Sequence, residues 1–178
     1  MPGTVTQLTP PAHDPCDTAG MDANESALQV KADDYRVSST DVVLGAQLHS
    51  SLAVCLHHEA EPDGALLHLR LAAPGQARNP DLTDNTLSGD LALLDRALRE
   101  LAIANPRAQH WQAKLIAHSE DQQAARTRCE ALQAFIVAFL QDAGIKVVSA
   151  TVHVAAVVDV RFRPAMGQVR TQTSELRT

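Results

Sequence analysis

Two apolar runs joined by one short polar loop constrain this chain more than anything else in it. Ser51-Leu52-Ala53-Val54-Cys55-Leu56 and Gly64-Ala65-Leu66-Leu67-His68-Leu69-Arg70-Leu71 flank His57-His58-Glu59-Ala60-Glu61-Pro62-Asp63, whose Pro, Asp and following Gly have the chemistry of a hairpin loop. A pair of adjacent strands is predicted, the first entered from Leu48-His49-Ser50. Side chains alternate along a strand, so Leu52, Val54 and Leu56 share one face, read as the core side, and Ser51, Ala53, Cys55 and His57 share the other. In the second run Leu67, Leu69 and Leu71 alternate with Leu66, His68 and Arg70. The hydroxyl of Ser51 and the imidazole of His68 are thereby carried on neighbouring strands, which makes a nucleophile-and-base pair conceivable.

The rest of the chain reads as layers around that pair. Met1 to about Ala27 combines four prolines with small and polar residues and is read as a disordered tail, and residues 173–178 as a short carboxy-terminal tail around a domain spanning 28–172. A strand is predicted within Leu28 to Ser38, with Tyr35 and Val37 on one face. Ala72 to Thr86 has the composition of a long loop. Leu91, Leu94, Leu98 and Leu101 recur at helical spacing, with Ser88 or Asp90 as cap and Pro106 as the stop. His110 to Ala117 alternates as a strand. Glu120 to Ala143 carries the stripe Leu132, Phe135, Ile136, Phe139 and Leu140 and is read as a helix ended by Gly144 in a left-handed turn. Val-, Thr- and Ile-rich strands follow over 145–154, 157–163 and 168–172, the last two joined by a turn at Pro164-Ala165-Met166-Gly167. Strands gathered at both ends around two helices that cover one sheet define an α+β layered sandwich of mixed and antiparallel sheet.

Composition closes off several classes of function. At 178 residues the chain is one domain, and 15 Lys plus Arg against 21 Asp plus Glu, a formal charge of -6, provide no basic surface for nucleic acid. The apolar stretches are all shorter than a membrane span, so no direct membrane insertion is expected. Cys16, Cys55 and Cys129 are odd in number and far apart, with no CxxC pair and no secretory leader, which fits a reduced, cytoplasmic setting. His57, His58, Glu59, Glu61 and Asp63 lack metal-ligand spacing and read as a solvated loop, so no metal and no cofactor is expected.

The two strands and their order resemble the chemoreceptor glutamine deamidases of bacterial chemotaxis, the CheD family. In that family a Leu-Gly-Ser-Cys-Val-Ala-Val-Cys-Leu strand precedes a Gly-Gly-Met-x-His-x-x-Leu-Pro strand. His68 falls on the family's catalytic histidine, Ser51 on its catalytic cysteine, Gly45 on its catalytic threonine, and Cys55 on its second cysteine. Further matches are Ala113-Lys114-Leu115, Arg128, Gly144-Ile145 and Phe162-Arg163-Pro164-Ala165-Met166-Gly167-Gln168-Val169. The departures are His49 for a glycine, Ala117-His118 for Gly-Gly, and His153 to Val158 for a Gly-Gly-x-x-Gly-Arg motif; side chains there cannot freely adopt the turns glycines permit, so a retained fold with an altered site is expected.

The resemblance implies hydrolysis of receptor glutamine side-chain amides to glutamate, with Ser51 as nucleophile and His68 as base, on the cytoplasmic region of methyl-accepting chemoreceptors. Cysteine suits this reaction because its thiolate forms near neutral pH beside histidine, whereas serine needs an oriented base at the moment of attack. Two other readings stand beside it: a catalytically silent relative that docks on receptors or on a CheC-type phosphatase, and a stable domain used with a different partner.

Overall fold

In a computed structural model, residues 21, 25–70, 85–103, 107–154 and 157–174 are described. The remaining tail residues, the loop over 72–84, Cys16 and Pro106 lie outside them. Among the described residues the strands are β1 (Leu28–Gln29), β2 (Asp34–Ser38), β3 (Leu44–Leu48), β4 (Ser51–His58), β5 (Gly64–Arg70), β6 (Trp111–Ser119), β7 (Lys146–Val154), β8 (Val157–Arg163) and β9 (Gln168–Ser174). Two α-helices, α1 (Asn85–Glu100) and α2 (Gln123–Asp142), complete the set. A five-stranded sheet runs β2-β5-β4-β6-β7 and a four-stranded sheet runs β1-β3-β8-β9. The architecture is the α+β layered sandwich expected, with both helices on the five-stranded sheet and the four-stranded sheet on its other face.

Both faces of the central strands β4, β5 and β6 of the five-stranded sheet are therefore largely buried. Leu52, Val54, Leu56, Leu67, Leu69 and Leu115 pack against Leu94, Leu98, Leu132, Ile136 and Leu140 of the helices. Ala53, Cys55, Leu66 and Ile116 pack on Leu44, Ala46, Leu48, Val158, Val160 and Phe162 of the second sheet. The face of β4 opposite Leu52, Val54 and Leu56 is thus a second core, which explains why β4 and β5 read as near-continuous apolar runs. In contrast β8 buries Val158, Val160 and Phe162 and leaves Asp159, Arg161 and Arg163 partly exposed, the alternation of a strand covered on one face.

The segment read as one strand over 28–38 is two strands in different sheets. β1 pairs in parallel with β3, and β2 pairs antiparallel with β5. Between them Asp33 takes φ 63, in the left-handed region where an Asp side chain is tolerated, so the chain reverses there and changes layer.

Helix α1 differs from expectation at both ends, whereas α2 ends as expected. α1 begins at Asn85, so Ser88 and Asp90 lie within it and neither is its cap, and Asp90 is buried. It also stops before Pro106 comes into play. Ala102 at φ 52 closes it, with Ala102 N–H on the Arg99 carbonyl at 3.0 Å and Ile103 N–H on the Leu98 carbonyl at 2.9 Å. α2 ends in the same double bond, Gly144 N–H to Gln141 and Ile145 N–H to Leu140, both 2.9 Å, with Gly144 at φ 85 as predicted. It then crosses over so that β6 and β7 pair in parallel. No helix among the described residues is long and apolar enough to cross a membrane.

Candidate functional site

The site forms where β4 begins and β5 ends, on the face turned toward the four-stranded sheet. Register places Ser51 opposite Arg70 and Ala53 opposite His68, so Ser51 and His68 are diagonal neighbours on one face. Ser51 Oγ lies 2.9 Å from His68 Nε2. The other ring nitrogen, Nδ1, lies 3.1 Å from the carbonyl oxygen of Val30, just after β1. A carbonyl can only accept, so Nδ1 carries the proton and Nε2 of the neutral ring is free to accept from the Ser51 hydroxyl. Burial holds the His68 pKa below its ordinary 6.5, although the bond to Val30 pulls the other way. The imidazole is thus neutral at neutral pH, in the tautomer a general base requires.

Backbone geometry around Ser51 completes the arrangement. The turn from β3 into β4 passes through Ser50 at φ 45. The His49 N–H donates to Ser51 Oγ at 3.1 Å, and the Ser50 N–H donates to His118 Nδ1 at 2.8 Å. Ser50 Oγ donates to Glu120 at 3.2 Å. Ser51 is only 1% exposed and His68 5%. At the close of β5, Asp33 N–H donates to the His68 carbonyl at 2.7 Å, while the Asp33 carboxylate accepts from Arg70 N–H at 3.3 Å and lies 3.3 Å from Arg70 Nε.

Gly45 stands away from this pair. Leu44, Ala46 and Leu48 of β3 face the inter-sheet core, so the alternate position 45 looks outward, where a Cβ would come within 2.6 Å of Gln29 Nε2 and 3.1 Å of Ala27 Cβ. The orienting acceptor for His68 is therefore a backbone carbonyl from the amino-terminal segment and not a side chain at position 45.

Among the described residues His49, Ala117, His118, His153, Val154, Val157 and Val158, which stand at or around the glycine departures, all avoid positive φ, as residues with a Cβ generally do, while Ser50 and Asp33 beside the site take it. What His118 changes is contact, since its buried ring meets the Ser50 amide and lies 6.5 Å, centroid to centroid, from His49. Val30 was invisible to sequence reasoning because its contribution is a peptide oxygen, which every residue has. The only available signal was the burial of a valine beside a turn.

The remaining candidates are structural. Cys55 lies fully buried in the inter-sheet core and burial pushes its thiol pKa strongly upward; Cys129, on the buried face of α2, is pushed up to about 11 chiefly for the same reason. His58 Nδ1 accepts the amides of Ala60 and Glu61 at 3.2 and 3.0 Å and its ring packs on Trp111, so it braces the hairpin loop. Among the described residues no three His, Cys, Asp or Glu side chains are grouped to hold a metal ion.

No protein-family model matches this chain, and no curated protein matches it either.

Proposed function

We propose that this protein is a divergent CheD-like chemotaxis protein whose Ser51 and His68 hydrolyse glutamine side-chain amides of the cytoplasmic region of methyl-accepting chemoreceptors to glutamate. The observation that carries the reading is the 2.9 Å contact from Ser51 Oγ to an Nε2 whose partner nitrogen is committed to the Val30 carbonyl. In the reaction His68 Nε2 takes the Ser51 proton as Oγ attacks the amide carbon. The same proton is then delivered to the departing nitrogen, ammonia leaves, and an ester to Ser51 remains. Water activated by His68 cleaves that ester and restores the hydroxyl. The group that orients His68 is a neutral carbonyl, so the imidazolium formed in the first step lacks the charge stabilisation a carboxylate gives, and turnover is slow beside that of a thiolate.

A second reading, a silent relative that binds receptors or a CheC-type phosphatase, is favoured by one specific observation. Ser51 is 1% exposed and its oxygen already accepts the His49 amide, so a substrate side chain needs an opening beside the turn from β3 to β4 to reach it.

Incubation with a receptor cytoplasmic fragment and mass spectrometry of amide-to-acid conversion separates the two. Conversion by the wild type is expected to fall by roughly 10³-fold or more in Ser51→Ala and in His68→Ala. Binding without any conversion favours the silent relative. Conversion only in Ser51→Cys means that the pocket is retained and the nucleophile alone was lost.

A further inference from the structure

The amino-terminal arm, Glu25 to Asp33, brings the Val30 carbonyl to His68, yet little regular structure holds it. β1 has two residues, a length that is not stable by itself, and it is attached by the Leu28 N–H to Val43 and the Val30 N–H to Gly45, both at 2.8 Å. Leu28 is 43% exposed, which leaves Val30 as the buried apolar contact of β1 and its flank. Gly45 admits the arm, because the space a Cβ would need there is filled by Gln29 and Ala27.

The arm is fastened at both ends. Asp33 clamps the end of β5 as described above. At the opposite end the Glu25 carboxylate sits 2.5 Å from Arg163 Nη2 through both oxygens. The Arg163 side chain is 13% exposed, and its Nε lies 3.3 Å from Asp41, near enough for attraction though not aligned as a hydrogen bond. Arg163 closes β8, which is paired on both sides and anchored next door by the fully buried Phe162. A charge fixed on that frame and largely withdrawn from water holds its partner more firmly than a surface pair does.

We propose that Arg163 is a positioning residue for His68, acting through Glu25 and the arm to keep the Val30 carbonyl on Nδ1. The inference deepens the Ser51 and His68 reading: when the arm slips, the Nδ1 proton loses its buried acceptor, the ring turns or takes the other tautomer, and Ser51 loses its base.

The test reads the tautomer, not turnover. Full-length protein labelled with ¹⁵N in histidine and ¹³C in the backbone, without substrate, is expected to show His68 protonated at Nδ1 with a through-hydrogen-bond correlation to the Val30 carbonyl carbon. In Arg163→Gln and in Glu25→Gln the ratio of Nδ1–H to Nε2–H forms falls roughly fivefold and the correlation fades. Arg163→Lys, which keeps the charge, recovers part of it. Gly144→Ala, which strains the far end of α2, leaves His68 as in the wild type. If Arg163→Gln fails to fold, Glu25→Gln decides, since it leaves Arg163 beside Asp41. An unchanged ratio in the folded variants, or an equal change in Gly144→Ala, overturns the proposal. A shifted tautomer in a protein that never converts a receptor amide would sustain this inference and sink the reaction, so the two fail separately.

Discussion

On its helix face the five-stranded sheet meets large aliphatic side chains from α1 and α2; on its sheet face the same strands offer Ala53, Cys55, Leu66 and Ile116, and beyond these Ser51, His68 and His118. In the first layer the buried contributions of β4 and β5 are Leu52, Val54, Leu56, Ala65, Leu67 and Leu69, all apolar. From β4 the second takes only Ala53 and Cys55, its large side chains come mostly from the facing sheet, and it gives its end over to groups that need hydrogen-bond partners. Those partners are peptide groups of neighbouring turns: the Val30 carbonyl for His68, the His49 amide for Ser51, and the Ser50 amide for His118. A buried polar residue left unpaired is costly, so the site occupies the rim of the sheet-to-sheet layer, where turns supply what strands have already spent on their ladder.

That contrast is sharpened first by truncation. Leu115→Ala and Ile136→Ala in the helix-side layer are each expected to cost about 2–5 kcal/mol in urea unfolding, whereas Ser51→Ala costs about 1–2 kcal/mol through the partners it leaves unpaired. Equal losses at Leu115 and Ser51 would erase the distinction between a packed layer and a polar rim.

Acid breaks the two layers unequally. Burial lowers the pKa of His57, His68 and His153, and register places all three on the sheet-facing side of the five-stranded sheet. Below the ordinary 6.5 the unfolded chain binds protons that the folded chain refuses, so their contribution is complete above that pH and declines as pH falls from 6.5 through the lowered folded values. Urea midpoints measured from pH 7.5 downward should fall in that window, and His68→Gln should flatten part of the slope. A midpoint independent of pH there would contradict the burial of these rings.

The smallest effects belong to the helix ends. Both helices close with the same pair of bonds around a left-handed residue, Ala102 in one and Gly144 in the other. Gly144→Ala is expected to destabilise by about 1 kcal/mol and Ala102→Gly to stabilise by up to about 1 kcal/mol, read as opposite shifts in melting temperature. Shifts of the same sign would mean that packing, not backbone conformation, governs these turns.

Much of this architecture was legible because it rests on periodicity and punctuation. The β4 and β5 hairpin, the stripe of α2, its end at Gly144 and the turn at 164–167 each have a local cause that the chain displays. What covers the second face of β4 was not legible because Ala53 and Cys55 are too small to mark a core by themselves, and only the alternation of Val158, Val160 and Phe162 one hundred residues later says what packs on them. The division of 28–38 hung on an aspartate adopting a left-handed backbone, which many residue types can be forced into by tertiary context. Of the site, the pairing of Ser51 with His68 followed from strand parity. The diagonal register and the carbonyl of Val30 did not, since register depends on the whole hairpin and a peptide oxygen leaves no trace in a side-chain pattern.

The two buried thiols lend themselves to one further use. Cys129 faces from α2 into the layer between the helices and the sheet and Cys55 lies in the layer between the sheets, and burial keeps both in the protonated, unreactive form. Alkylation of either must await a local opening of its own surroundings, so the rates at which a labelling reagent captures them time the breathing of the two layers independently.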